Sequence, residues 1–108
     1  MKGYTYILRC SDDRLYIGSS NNLKKRIEEH QSGVGSNFTK IRLPVVLVFL
    51  EEYSRIDQAF YREKQIQRWT KAKKEALIIG NKEELHRLAE CKNLTHYLKF
   101  NQPEKNSP

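Results

Sequence analysis

A run of six apolar residues, Val45-Val46-Leu47-Val48-Phe49-Leu50, follows directly on Pro44. Its length is that of a strand, and its continuity is that of a strand buried on both faces. Such a strand needs cover above and below, which calls for a mixed α/β domain in which helices flank a sheet. The length bounds the rest. The 108 residues amount to one domain, because two domains sharing them would each have too small a core to stand without staples. Residues 1–100 are expected to form that domain. From Asn101 onward, Asn-Gln-Pro-Glu-Lys-Asn-Ser-Pro has nothing to bury and is expected as a flexible C-terminal tail.

The other elements follow from local chemistry. Residues 4–10, Tyr-Thr-Tyr-Ile-Leu-Arg-Cys, are aromatic and β-branched and read as a strand. Ser11-Asp12-Asp13 is turn chemistry, and Leu15-Tyr16-Ile17-Gly18 is a second strand, which makes a hairpin. Asn21 and Asn22 offer N-cap oxygens for a helix over 23–31. Residues 32–37 are glycines and small polar groups, a loop. Ser54 opens a second helix, with Asp57 in a loose capping box and an apolar period of Ile56, Ala59, Phe60 and Ile66. Ala76-Leu77-Ile78-Ile79 makes a shorter helix ended by Gly80. Asn81 with Glu84 opens a last helix over 82–90, Leu85 and Leu88 inward. The expected order is β-β-α-β-α-α-α, an α+β fold with a small three-stranded, largely antiparallel sheet.

Composition narrows the partners. Lysine plus arginine number 20 and aspartate plus glutamate 13, a net charge of +7. Negative partners are favoured, and nucleic acid leads them. No apolar run approaches the roughly 20 residues that span a bilayer, and Met1-Lys2-Gly3-Tyr4 opens no signal peptide. Cys10 and Cys91 alone make no disulfide framework, which points to a reducing cytoplasm. Cys91, His86 and His96 do not match a zinc spacing. Gly33-Val34-Gly35 lacks the strand-to-helix context of a phosphate loop. Residues 62–74 carry Arg62, Lys64, Arg68, Lys71, Lys73 and Lys74, with Trp69 among them. Together with Lys24 and Lys25 they make a candidate face for phosphates, the alternative being an ordinary solvated surface.

Three polar residues stand where apolar ones belong. Leu23, Arg26, Ile27 and His30 fall at i, i+3, i+4 and i+7, on one helix face. At about 100° per residue, Glu63 lies within about 20° of Ile56 and about 60° of Phe60 and Ile66. A carboxylate in an apolar stripe costs several kcal/mol unless a cation or donors meet it. One explanation is a structural ion pair between Glu63 and Arg26. The other is a site of chemistry, where such clusters are tolerated. The tyrosines bear on the choice. A two-residue turn at Asp12-Asp13 pairs positions summing to 25 and sets Tyr6 and Tyr16 on opposite faces. A three- or five-residue loop, with a sum of 26, sets them on the same face. Ser-Asp-Asp-Arg lacks the Asn-Gly or Asp-Gly signal of the tight turn, which favours the longer loop. Tyr6, Tyr16, Arg26, His30 and Glu63 are then expected to line one cleft on that face.

These residues together resemble the GIY-YIG nuclease superfamily. Tyr4-Thr5-Tyr6 sits where the first triplet belongs, and Tyr16-Ile17-Gly18 matches the second in full. Asn22-Leu23, then Arg26, then His30 resemble the stretch that follows it, and Arg62-Glu63-Lys64-Gln65-Ile66 looks like the family's metal-binding glutamate segment. The likeness covers residues 4–80 and is to the small single-domain bacterial members. Two departures stand out: Tyr4 and Thr5 replace the glycine and isoleucine, and position 19 is a serine where some members carry a lysine. The resemblance implies an endonuclease that hydrolyses DNA phosphodiester bonds, of the repair or processing kind, with one Mg²⁺ (or Mn²⁺). It implies Glu63 on the metal, Arg26 on the phosphate, and Tyr16 or Tyr6 activating the water. His30 would orient a tyrosine or share the proton transfer. The alternatives are a nucleic-acid-binding module of the same fold without catalysis and a protein-interaction domain with an internal ion pair.

Overall fold

The computed structural model describes residues 1–98. The expected tail lies outside the described residues. β1 (Gly3–Arg9) is the middle strand, flanked by β2 (Leu15–Ser20) and β3 (Val46–Tyr53), both antiparallel to it. Every residue of β1 except Arg9 is buried. The continuous apolar run is therefore an edge strand. It is apolar on both faces because helices cover both, not because strands flank it. A bulge adds to this: Ile7 pairs with Phe49 and Leu8 with Leu47, so Val48 is an extra residue. Val48 and Phe49 consequently pack into the same layer.

Two apolar layers result. On one face α1 (Leu23–Gln31) and α5 (Lys82–Cys91) cover Tyr4, Tyr6, Leu8, Leu47 and Leu50 through Leu23, Ile27, Leu85 and Leu88. On the other, α3 (Ile56–Gln67) and α4 (Lys71–Gly80) cover Ile7, Ile17 and Phe49 through Ile66 and Ile78. A short helix, α2 (Asn37–Lys40), follows α1, and a 3-10 turn spans Thr95–Tyr97. No helix among the described residues is long and apolar enough to cross a membrane.

Several element starts differ from the local signals. Residue 37, expected in a loop, opens α2, because the Ser36 hydroxyl accepts from the Thr39 N–H at 3.2 Å and caps it. α3 begins at Ile56 rather than Ser54, and the Asp57 carboxylate is taken by Arg55 at 2.8 Å. α4 begins at Lys71, well before Ala76, because the Thr70 hydroxyl accepts from the Lys73 N–H at 3.2 Å. Asn22 precedes α1 but makes no side-chain cap bond. Asn81 caps nothing either: its side chain accepts from the Leu50 N–H at 3.0 Å and donates to the Leu50 carbonyl at 3.2 Å. The inward stripe of α3 is Ile56, Ala59, Glu63 and Ile66, at i, i+3, i+7 and i+10, whereas Phe60 turns outward and is 52% exposed. Thr5, one of the two family departures, is fully buried and donates to the Ala59 carbonyl at 2.8 Å. That bond ties α3 to the central strand and fixes the height at which Glu63 sits.

Candidate active site

The hairpin places the tyrosines. Tyr6 pairs with Gly18 and Arg9 with Leu15, leaving a five-residue loop over 10–14. The paired positions sum to 24 rather than 26, because the loop is centred on Asp12. The parity is even, so Tyr6, Tyr16 and Gly18 share a face. The rings of Tyr6 and Tyr16 lie 6.4 Å apart, centroid to centroid, and that of His30 is 4.9 Å from Tyr16. The Tyr6 ring leans over Gly18: a Cβ there would stand 2.6 Å from Cζ of Tyr6 and collide with its hydroxyl. The last residue of the second triplet is thus the floor on which the tyrosine of the first one lies.

His30 comes from the buried face of α1 and is fully enclosed. Its Nε2 is 3.0 Å from the Tyr6 hydroxyl and its Nδ1 is 2.9 Å from Oγ1 of Thr39. Burial, seconded by the Arg26 charge, pushes its pKa down to about 4. The ring is therefore neutral at physiological pH, with one donor and one acceptor nitrogen. The Tyr6 hydroxyl is pushed up by burial and by Tyr16, against the pull of Arg26. It stays a phenol and donates to Nε2, which leaves the proton of His30 on Nδ1, donated to Thr39. Thr39 in turn lies 3.0 Å from the Ser36 hydroxyl. A chain of hydrogen bonds runs from Tyr6 through His30 and Thr39 to Ser36. Above the imidazole lies Gly35, where a Cβ would come within 2.5 Å of Nδ1. Thr39, Ser36 and Gly35 join the site without any mark in the sequence that says so. Their role depends on the loop folding back over α1, which no local spacing announces.

A stability consequence follows. An unfolded histidine titrates near 6.5, whereas His30 in the fold holds off its proton to about 4. Below pH 6.5 the unfolded chain binds a proton that the folded one refuses. His30 therefore contributes stability above 6.5 that is lost as pH falls toward 4, on the order of 3 kcal/mol. Urea midpoints between pH 7 and 4 check this: His30→Gln should flatten part of the fall, and an unchanged slope would remove His30 as its source.

Arg26 stands at the rim with its side chain 34% exposed, and pairs with Glu29 at 3.0 Å. The Glu63–Arg26 ion pair does not form. Glu63 also departs from the expected single-face cleft. It hangs from α3, on the opposite face of the sheet, and reaches the edge strand β2 from that side. Ser19 Oγ donates to its Oε1 at 2.5 Å and Gln67 Nε2 to its Oε2 at 2.8 Å. The Glu63 side chain is 13% exposed, and Lys64 Nζ is 3.9 Å away. Tyr6, Tyr16, Arg26 and His30 thus gather on one side of β2 and Glu63 stands on the other, near enough that its charge helps hold Tyr6 protonated. Helical period shows that a side chain turns inward; it does not show which face of the sheet it meets.

The basic residues divide into paired and unpaired groups. Lys24 is taken by Glu28 at 2.6 Å, Lys71 by the Asp13 carbonyl at 2.7 Å, and Arg62 by Glu51 at 3.0 Å. Lys25 is exposed. Arg68, Lys73 and Lys74 have no acidic partner among the described residues, and Lys73 lies 4.2 Å over the Trp69 ring.

Comparison with known proteins gives these residues a family. The family described as "GIY-YIG catalytic domain" matches residues 2–76. A UPF0213 protein of Syntrophus aciditrophicus is 45% identical over 85 residues, covering 78% of this chain and 98% of that one. A UPF0213 protein of Natronomonas pharaonis is 40% identical over 75 residues, 69% of this chain and 88% of its own. A solution NMR structure of the UPF0213 protein BH0048 from Bacillus halodurans is 33% identical, covers 72% of this chain and 83% of that one, and superposes with a TM-score of 0.49. With the matched segment running from the start of β1 into α4, and with UPF0213 proteins among its relatives, the chain belongs to the GIY-YIG family.

Proposed function

We propose that this protein is a metal-dependent endonuclease that hydrolyses phosphodiester bonds in nucleic acid, with DNA as the substrate and Mg²⁺ or Mn²⁺ as the cofactor. The observation that carries it is the pairing, across one thin edge strand, of a sealed tyrosine–histidine cluster with a carboxylate held by neutral donors. Glu63 suits a hard cation. Magnesium prefers oxygen, keeps several waters, and can be held by one carboxylate with the substrate phosphate. The hydrogen-bonding partners of Glu63, a hydroxyl and an amide, are neutral, and the ammonium of Lys64 stands off at 3.9 Å. When bound, the metal supplies positive charge to the phosphoryl oxygens as they gather negative charge.

The chain's own groups do the rest. Tyr16 is only partly buried, whereas Tyr6 is closed off, so of the two tyrosines Tyr16 is the one that solvent meets. Tyr16 takes the proton of the attacking water as its hydroxyl passes its own proton on to bulk water. Tyr6, fixed by neutral His30 and by Gly18, holds the Tyr16 ring in place. Arg26 faces the phosphate, where a guanidinium fork matches two of its oxygens. The deciding experiment is nicking of supercoiled plasmid. Nicking is expected with Mg²⁺, lost in EDTA, and accompanied by binding whose log K falls against log salt with a slope near −4 to −5 for about five phosphate contacts. Salt-sensitive binding with no nicking selects the non-catalytic module. A flat salt response selects a protein-interaction domain.

A further inference from the structure

The outer face of α3 carries an arrangement that cutting a phosphodiester does not require. Tyr61 is 80% exposed and Phe60 52%, on a helix whose buried stripe is complete without them. Tyr61 stands as a partition between two hollows. One, of about 500 Å³, is lined with Tyr53, Gln58, Arg62 and Gln65. The other, of about 430 Å³, is lined with Lys64, Gln65, Arg68 and Trp69. No carboxylate lines either hollow. The aromatic faces already attract cations: Arg62 lies 5.3 Å and Lys73 4.2 Å from the Trp69 centroid, and Lys64 lies 5.0 Å from that of Phe60.

Resting on the nuclease reading, we propose that this face binds the unpaired bases of a nucleic-acid strand, stacked against Tyr61 and toward Trp69, with Arg68, Lys64 and Lys73 meeting its phosphates. An exposed ring set among cations is the platform on which successive bases stack whatever their sequence. A duplex hides its base faces and would use only the cations. An acidic protein partner would not need hollows on both sides of a ring. The face also connects with the candidate active site. At about 100° per residue, Glu63, Phe60, Lys64 and then Arg68 and Tyr61 follow one another around the helix. Lys64 bridges them, over Phe60 and 3.9 Å from Glu63. A strand lying in the hollows therefore leads toward Glu63.

The chain has one tryptophan, and it lines the second hollow. Its emission reports occupancy directly. The test titrates the full chain in EDTA, where no cleavage occurs, with oligothymidylate and with a hairpin duplex of equal nucleotide count. Oligothymidylate is expected to quench Trp69 and to bind more tightly than the duplex. Tyr61→Ala should weaken that binding about tenfold or more, and Tyr61→Phe should bind like wild type. Equal affinity of Tyr61→Ala and wild type overturns the proposal. So does preference for the duplex without a change in emission, or the absence of any response to nucleic acid. Plasmid nicking by wild type is scored separately. If nicking fails while the Tyr61 dependence stands, the nuclease reading falls and the base-binding face remains.

Discussion

Glu63→Gln is expected to bring Mg²⁺-dependent nicking to background while the fold keeps its stability. Metal charge at a phosphoryl centre supplies several kcal/mol to the transition state, so the loss should be about a thousandfold or more. The partners of the carboxylate explain why stability survives. Ser19 and Gln67 are neutral and both donate to it. The new amide can still accept from Gln67, and its own N–H can donate to Ser19, whose hydroxyl turns to accept. The change in stability should stay within about 1 kcal/mol. An ion pair with Arg26 would behave otherwise, since removing one partner of a buried pair costs about 3–5 kcal/mol. Arg26, however, pairs with Glu29. Binding to DNA in EDTA should hold or tighten, because a negative charge has left a basic surface. Thermal melts without metal, beside the nicking assay, read both quantities. Continued nicking would remove Glu63 from the metal, and a collapse in melting temperature would make it a structural group.

Gly18→Ala should damage the fold and the candidate site together. The added carbon would meet Cζ of Tyr6 at 2.6 Å, and Tyr6 is 1% exposed with its hydroxyl bonded to His30. The ring has nowhere to go without breaking that bond. Overpacking of this kind costs about 1–3 kcal/mol, or some 4–20 °C in melting temperature for a domain of this size. Cleavage should fall about a hundredfold as Tyr16 loses its support. Gly80→Ala is the control, since a Cβ there meets nothing within 4 Å, and alanine in a helix is favoured by up to about 1 kcal/mol. A wild-type melt and wild-type nicking for Gly18→Ala would mean that the Tyr6 ring does not rest where its geometry places it.

What sequence makes visible here is periodicity, and what it hides is which surfaces meet. The shared face of Tyr6 and Tyr16 depends only on the parity of the hairpin, so it survives an error of two in the register sum. The inward turn of Arg26, His30 and Glu63 is a matter of helical period. The layer that Glu63 joins is not, because the connection from β3 into α3 decides it. Phe60 sits about 40° from Ile56 on the other side from Ala59, at the margin of the stripe, and the sheet below is too narrow to cover it. Thr39 and Gly35 meet His30 only because the following loop closes over α1. Asn81 carried a capping signature, yet a vacant peptide group on β3 competed for its amide and won.

That amide has a consequence beyond local order. The outer margin of a sheet is a template, and a stranger's backbone can zip onto it rung by rung. The apolar run that organises this fold is also of the kind that stacks into fibrils when left uncovered. Asn81 occupies both hydrogen-bonding groups of Leu50 with a single side chain. It imitates one residue of a fourth strand and admits no continuation, so a zipping chain would stall in mid-strand. Sheet growth is thus blocked along β3, on the side away from the tyrosines.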